Sequence, residues 1–157
     1  MKKNRMIWKI IFLCIFLIGI DQASKFFVMH HTYEKSEKWI QIQQVENTGM
    51  AFGIHKGNTK NIVLTAIVLV IVIRFIKNQK DYIDSASFIS LSLILAGGIG
   101  NLIDRLIRGA VIDFIYVKNF SVFNVADCYI VIGWVGLVIA IFHFNRKIVG
   151  GKTCEKP

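Results

Sequence analysis

The chain has 157 residues, enough for one domain, and 54% of them are hydrophobic, with a mean hydropathy of +0.54. That apolar excess excludes an ordinary soluble domain and points to an integral membrane protein. The formal charge of +9 does not argue for a nucleic-acid partner, because the basic residues flank apolar runs and form no aromatic-interleaved stripe. Cytoplasmic anchoring of membrane helices accounts for them better.

Lys2, Lys3 and Arg5 followed by Ile7 to Ile20 imitate a secretory signal, and Ile11-Phe12-Leu13-Cys14 hints at a lipoprotein cleavage box. Bulky Phe12 and Leu13 argue against cleavage, and apolar character resumes at Phe26-Phe27-Val28-Met29, so the segment is expected to persist as a first span. From Met6 to Met29 a helix would rise about 36 Å, enough for a hydrocarbon core of about 30 Å. Asp21 falls in its outer half with Lys25 at i,i+4. The pair is either a self-contained ion pair at a helix end or part of a site.

Residues 30–57 are polar enough to lie outside the membrane. Trp39-Ile40-Gln41-Ile42-Gln43 alternates as a half-buried strand should, Glu46-Asn47-Thr48-Gly49 is a turn signal, and Met50 to Ile54 is a short strand or an interfacial dip. On local chemistry alone Asn47 is a turn residue. A second span covers Ile62 to Ile76, and Arg74, Lys77 and Lys80 mark its inner end. Ser85 or Asp84 is placed to cap the third helix.

Between Gly97 and Asp127 the chain concentrates Asn101, Asp104, Arg105, Arg108, Asp113, Lys118, Asn124 and Asp127. Ionisable groups near hydrocarbon are costly, which makes function their default reading. The bland alternative, solvated charges of an outer loop, suits Arg108 and Lys118. It suits Asp113 and Asp127 poorly, since each adjoins an apolar run. Gly97-Gly98-Ile99-Gly100 allows close helix approach; no lysine and Ser/Thr follow as a phosphate loop requires. Asn101, Asp104 and Arg105 share one helix face. Val111 to Val117, a turn at Lys118-Asn119 and Phe120 to Phe123 predict a hairpin, after which Asn124 caps a fourth helix with Asp127 at the same end.

The expected fold is therefore a mainly α membrane protein. It is one domain, 1–157, with four transmembrane helices near 6–29, 60–77, 85–105 and 126–145, and outer segments 30–59 and 106–125 that hold a small extracytoplasmic β-rich excursion. Four spans put both termini on the strongly basic side, the cytoplasm, and the acids Asp113 and Asp127 toward the outer surface. Cys14, Cys128 and Cys154 show no CxxC pairing and no HExxH is present, so packing is the expected role of the cysteines and neither a metal nor a cofactor is indicated.

Two acids at adjoining strand and helix edges suggest a pair sharing one proton, since like charges a few ångströms apart resist double ionisation. The anionic member can take a proton from an attacking water while the protonated one hydrogen-bonds the carbonyl oxygen.

Gly97-Gly98-Ile99-Gly100-Asn101-Leu102-Ile103-Asp104-Arg105, Val111-Ile112-Asp113-Phe114 and Phe123-Asn124-Val125-Ala126-Asp127 closely resemble, in order and spacing, the signatures of lipoprotein signal peptidase (signal peptidase II). Asp21-Gln22-Ala23-Ser24-Lys25 looks like that family's first-helix motif, and Glu46 to Phe52 like its outer-loop motif, so the resemblance covers nearly the whole chain. It implies an aspartyl endopeptidase of the bacterial plasma membrane that cleaves prolipoproteins before their diacylglyceryl-modified cysteine. Asp113 and Asp127 match its dyad. Asn101, Arg105 and Asn124 match polar residues lining that site, and Asp21 and Asn47 match residues beside it; Lys25 and Asp104 belong with the supporting set. The expected partners are the lipid-modified substrates and membrane lipids, with no nucleic acid, and a monomer suffices. Small Gly49, Ala51 and Gly53 would let an outer lid fold over substrate.

Two rival readings carry their own signatures. A proton-coupled transporter should hold its acids near span midpoints. A structural assembly subunit predicts that replacing the acids changes stability or association but abolishes no reaction.

Overall fold

The structure, a computed structural model, describes residues 2–31, 33, 38–49, 58–79 and 85–151. Four helices dominate it: α1 (Lys2–Met29), α2 (Asn58–Gln79), α3 (Ser85–Ile107) and α4 (Val125–Gly151). Each contains a stretch long and apolar enough to cross a membrane, namely Ile7–Met29, Thr59–Asn78, Ala86–Ile107 and Val125–His143. Their outer faces carry exposed apolar side chains such as Phe12, Phe16, Ile71 and Phe142. Lipid tails are as apolar as these residues, so burial inside the protein gives them no advantage and packing must come from elsewhere.

It comes from α3, which packs against α4, α1 and α2. Leu91, Ile94, Leu95 and Ala96 of α3 form the core with Ile10 and Cys14 of α1, Leu69, Val72 and Ile76 of α2, and Leu137 of α4. The α3–α4 approach is set by missing side chains. A Cβ on Gly97 would lie 2.4 Å from the Ala126 carbonyl oxygen and 2.7 Å from Ile130 Cγ1, and one on Gly133 would lie 2.7 Å from the Ser90 carbonyl oxygen. Gly97→Ala should therefore destabilise the protein by about 1–3 kcal/mol through overpacking, exceeding the gain of about 1 kcal/mol that alanine brings to a helix. Thermal melting in detergent measures it, and a variant as stable as the parent would refute the packing argument.

Outside the helices, β1 (Ile40–Asn47), β2 (Val111–Val117) and β3 (Ser121–Phe123) form an antiparallel sheet in the order β1-β2-β3. The β2–β3 turn uses Asn119 at φ 61°, a left-handed conformation that asparagine tolerates better than most residues. In β1, Ile42 lies opposite Ile115 but Val45 lies opposite Asp113, so one extra residue is accommodated between them as a bulge.

Two expectations for this sheet need correction. The turn signal at Glu46-Asn47 is overridden, because both residues still pair with β2, opposite Ile112 and Val111. The alternation at Ile40 and Ile42 also reads differently: these two are exposed, at 64% and 38%, while Gln41 and Gln43 are half-buried. In a membrane protein the exposed side need not be water, and Trp39, also exposed, is a residue type enriched at the lipid–water interface. The short segment Met50 to Ile54, with the lid residues Ala51 and Gly53, and the cap candidates Asp84 and the Ser85 side chain lie outside what the structure describes; Ser85 itself is the first residue of α3.

Candidate active site

The carboxylates come from two elements whose ends meet. Asp113 is the third residue of β2 and Asp127 lies in the first turn of α4. The start of α4 is fixed by a reciprocal cap: Asn124 Oδ1 accepts from the Asp127 N–H at 3.0 Å, and Asp127 Oδ2 accepts from the Asn124 N–H at 3.2 Å. Asp127 thus sits among the open N–H groups of a helix N-terminus, where a negative charge is favoured.

Three asparagine amides orient the pair. Asn124 Nδ2 donates to Asp113 Oδ1 at 2.6 Å, Asn47 Nδ2 to Asp113 Oδ2 at 2.9 Å, and Asn101 Nδ2 to Asp127 Oδ1 at 2.8 Å. Each amide is itself held. Asn47 Oδ1 accepts from the Gly49 N–H at 2.9 Å, and Asn101 Oδ1 accepts from Asn124 Nδ2 at 3.2 Å and Lys25 Nζ at 3.1 Å. Asn47 is therefore the last strand residue of β1, its side chain accepting from the Gly49 N–H beyond the strand end and donating to Asp113. The bulge makes this possible, because in an unbroken ladder continued from Ile42 the side chain of Asn47 would point to the opposite face of the sheet.

Asp113 is 3% exposed, and its carboxyl is pushed up to about 6. Burial is the main cause and the charge of Asp127 adds to it; the amides of Asn47 and Asn124 and the charge of Lys25 pull the other way. Both acids line a cleft of about 600 Å³ together with Asn47, Asn101 and Arg105, its remaining wall being mainly apolar, including Val111, Phe123 and Val131. The Arg105 guanidinium reaches the carbonyl oxygens of Asn101 and Gly49, both at 3.4 Å, so it ties the β1 exit to α3 beside the cleft.

A second polar cluster lies behind the first. Asp21, Lys25 and Asp104 are each fully buried, and Lys25 Nζ lies 2.8 Å from both Asp21 Oδ2 and Asp104 Oδ2. Arg108 pairs with Asp104 Oδ1 and donates to Gln22 Oε1 at 3.0 Å, while Gln22 Nε2 donates to Asp104 Oδ1 at 3.1 Å. The Asp21–Lys25 pair is therefore not self-contained. Arg108 is likewise no solvated charge; its i,i+4 spacing from Asp104 was the signal for it, and burial of Asp104 makes the pairing necessary. Lys118 is exposed, as its placement in the outer turn suggests. Asn101, Asp104 and Arg105 divide their work: Asn101 and Arg105 border the cleft, whereas Asp104 turns to α1.

Of the cysteines, Cys14 is buried in the core and donates to the Ser92 carbonyl oxygen, while Cys128 lines the cleft. Among the described residues no three His, Cys, Asp or Glu side chains are grouped to hold a metal.

Comparison with known proteins adds an independent finding. The family model described as signal peptidase (SPase) II matches residues 13–143. The lipoprotein signal peptidase of Dehalococcoides mccartyi (strain CBDB1) is 36% identical over 143 residues, covering 86% of this chain and 88% of that protein. Its counterpart in Staphylococcus aureus (strain bovine RF122 / ET3-1) is 30% identical over 159 residues, covering 94% and 97%. A bacterial membrane enzyme solved by the in meso method at 2.3 Å resolution has a similar structure, with a TM-score of 0.78 at 28% identity over 96% of this chain and 95% of that one.

Proposed function

Because this chain belongs to the signal peptidase II family, whose members are bacterial membrane proteases, we propose that it is an aspartyl endopeptidase that removes signal peptides from prolipoproteins. The cut falls immediately before the diacylglyceryl-modified cysteine. One observation carries the reading: two carboxylates from different elements, Asp113 and Asp127, line one cleft and are both met by one residue, Asn124, whose side-chain amide donates to Asp113 Oδ1 and whose backbone N–H donates to Asp127 Oδ2.

Asp127 is the anionic member and Asp113 carries the shared proton. The helix N-terminus and the amide of Asn101 favour charge on Asp127, while burial opposes it on Asp113. A water in the cleft gives a proton to Asp127 as its oxygen attacks the scissile carbonyl, whose oxygen accepts a hydrogen bond from protonated Asp113. Collapse of the tetrahedral intermediate breaks the C–N bond, and Asp127 returns the proton to the leaving amine. The apolar cleft wall suits a substrate that keeps acyl chains and a signal helix in the bilayer. The positive-inside pattern of Lys2, Lys3, Arg5, Arg74 and Lys77 supports both termini in the cytoplasm and the dyad at the outer surface. A single chain supplies every one of these groups, so a monomer is sufficient.

The transporter reading fares worse because, of the described acids within spans, Asp127 lies at the very start of its own, while Asp21 and Asp104 are committed to Lys25 and Arg108. Purified protein in lipid with a lipid-modified prolipoprotein should release a signal peptide ending at the residue before the modified cysteine, as read by mass spectrometry. Excess chelator should leave the rate unchanged. Cleavage elsewhere, or activity lost in chelator and restored by zinc, would overturn the reading.

A further inference from the structure

A lysine ammonium has three hydrogens to donate. Those of Lys25 meet Asp21 Oδ2 at 2.8 Å, Asp104 Oδ2 at 2.8 Å and Asn101 Oδ1 at 3.1 Å, so this fully buried group is fully used. Each of the three acceptors is also attached to the dyad. Asp21 Oδ1 accepts from the N–H of Ala126, at 2.9 Å, the residue immediately before Asp127. Asp104 Oδ2 accepts from the N–H of Ile112, at 3.4 Å, the residue immediately before Asp113. Asn101 donates from its other amide atom to Asp127 Oδ1 at 2.8 Å. One ammonium on α1 thus ties together the backbone preceding each acid and one oxygen of Asp127. No described residue lining the cleft belongs to α1, so Lys25 touches the dyad only through these intermediaries, beyond the pull of its charge on Asp113.

We infer that Lys25 is a positioning residue that sets the separation of the two carboxylates and keeps the Asn101 amide turned toward Asp127. Reversing that amide would direct its N–H groups at the ammonium and its oxygen at a carboxylate, so the charge on Lys25 holds it in one orientation. Stability is a poor account of such a cluster, since a buried ion pair is often matched or exceeded by well-packed apolar side chains. A fixed dyad geometry does account for it, because small displacements of reacting groups cost large factors in rate.

The inference rests on the aspartyl reading of the cleft, and the experiment separates the two. Lys25→Met alone would strand a buried carboxylate, so the decisive variant is Lys25→Met combined with Asp21→Asn. It keeps net charge, an acceptor for the Ala126 N–H and the Asp104–Arg108 pair. Its melting temperature in detergent should stay within about 5 °C of the parent. Its kcat should fall about 100-fold with KM nearly unchanged, and the pH profile of kcat should move toward higher pH as the cation near the dyad is lost. A folded double variant with parental kcat and pH profile overturns the inference. So does a lower kcat with a raised KM and an unmoved profile, which would mark a substrate-binding role. Failure to fold would assign Lys25 to the framework alone and overturn it equally. Asp113→Asn is measured alongside: if it still cleaves, the aspartyl reading itself falls, whatever the Lys25 variants do.

Discussion

Asp113→Asn and Asp127→Asn should each lower cleavage of a lipid-modified prolipoprotein by between about 10²- and 10⁴-fold, the range that positioned acid–base groups supply. The amide preserves size but neither accepts a proton as a carboxylate does nor donates from an acidic O–H. The two substitutions differ in what else they disturb. At position 127 the amide oxygen can still accept from the Asn124 N–H, but an N–H₂ turned toward Asn101 Nδ2 would oppose donor to donor, and Lys25 resists the flip of Asn101 that would relieve it. Asp127→Asn should therefore also loosen the α4 cap modestly. Near-normal turnover in either variant, with folding verified by thermal melting, would sink the dyad assignment.

Replacing Asp113 should also change stability in a pH-dependent way, with a sign set by its raised carboxyl. The folded protein holds this proton up to about pH 6, whereas the unfolded chain releases it near 3.8. Between these values the folded state binds more protons than the unfolded one, so its stability falls as pH rises. The contribution is fully present below pH 3.8 and lost above about 6. At roughly 1.4 kcal/mol per pH unit, Asp113→Asn should gain about 3 kcal/mol relative to the parent on going from about pH 3 to about pH 8. Comparing the two pH values removes any constant cost of presenting an amide to Asn47 and Asn124. A melting-temperature difference between variant and parent that does not change with pH would show that Asp113 is not held neutral by burial. The same group should give kcat/KM a limb that falls as pH rises through about 6.

The sequence is informative where the signal is local or periodic. Four long apolar runs give the membrane helices, and Val111 to Phe123, with turn residues between β-branched and aromatic ones, gives the hairpin. The cap at Asn124 and the position of Asp127 in the same turn are equally legible, because capping acts over three residues. The long-range arrangement is not. Nothing near Lys25 says that its ammonium meets Asn101 and Asp104 across two helices, 76 and 79 positions away in the chain. Arg108 was misread for the same reason: its i,i+4 neighbour is visible, but the burial of Asp104 depends on α1. Glu46-Asn47 has turn chemistry and is strand all the same, since pairing with β2 outweighs a local preference.

The bulge in β1 also fixes where this strand can change its length. Side chains alternate between faces at every residue, so losing one residue between Val45 and Asn47 would carry Asn47 away from Asp113. Losing one of Gln43 and Gln44 would instead return a regular ladder with Val45 still opposite Asp113 and Asn47 opposite Val111. A single-residue deletion is thus tolerable at one place in the strand and damaging a few ångströms further on, although neither removes a residue that touches the carboxylates.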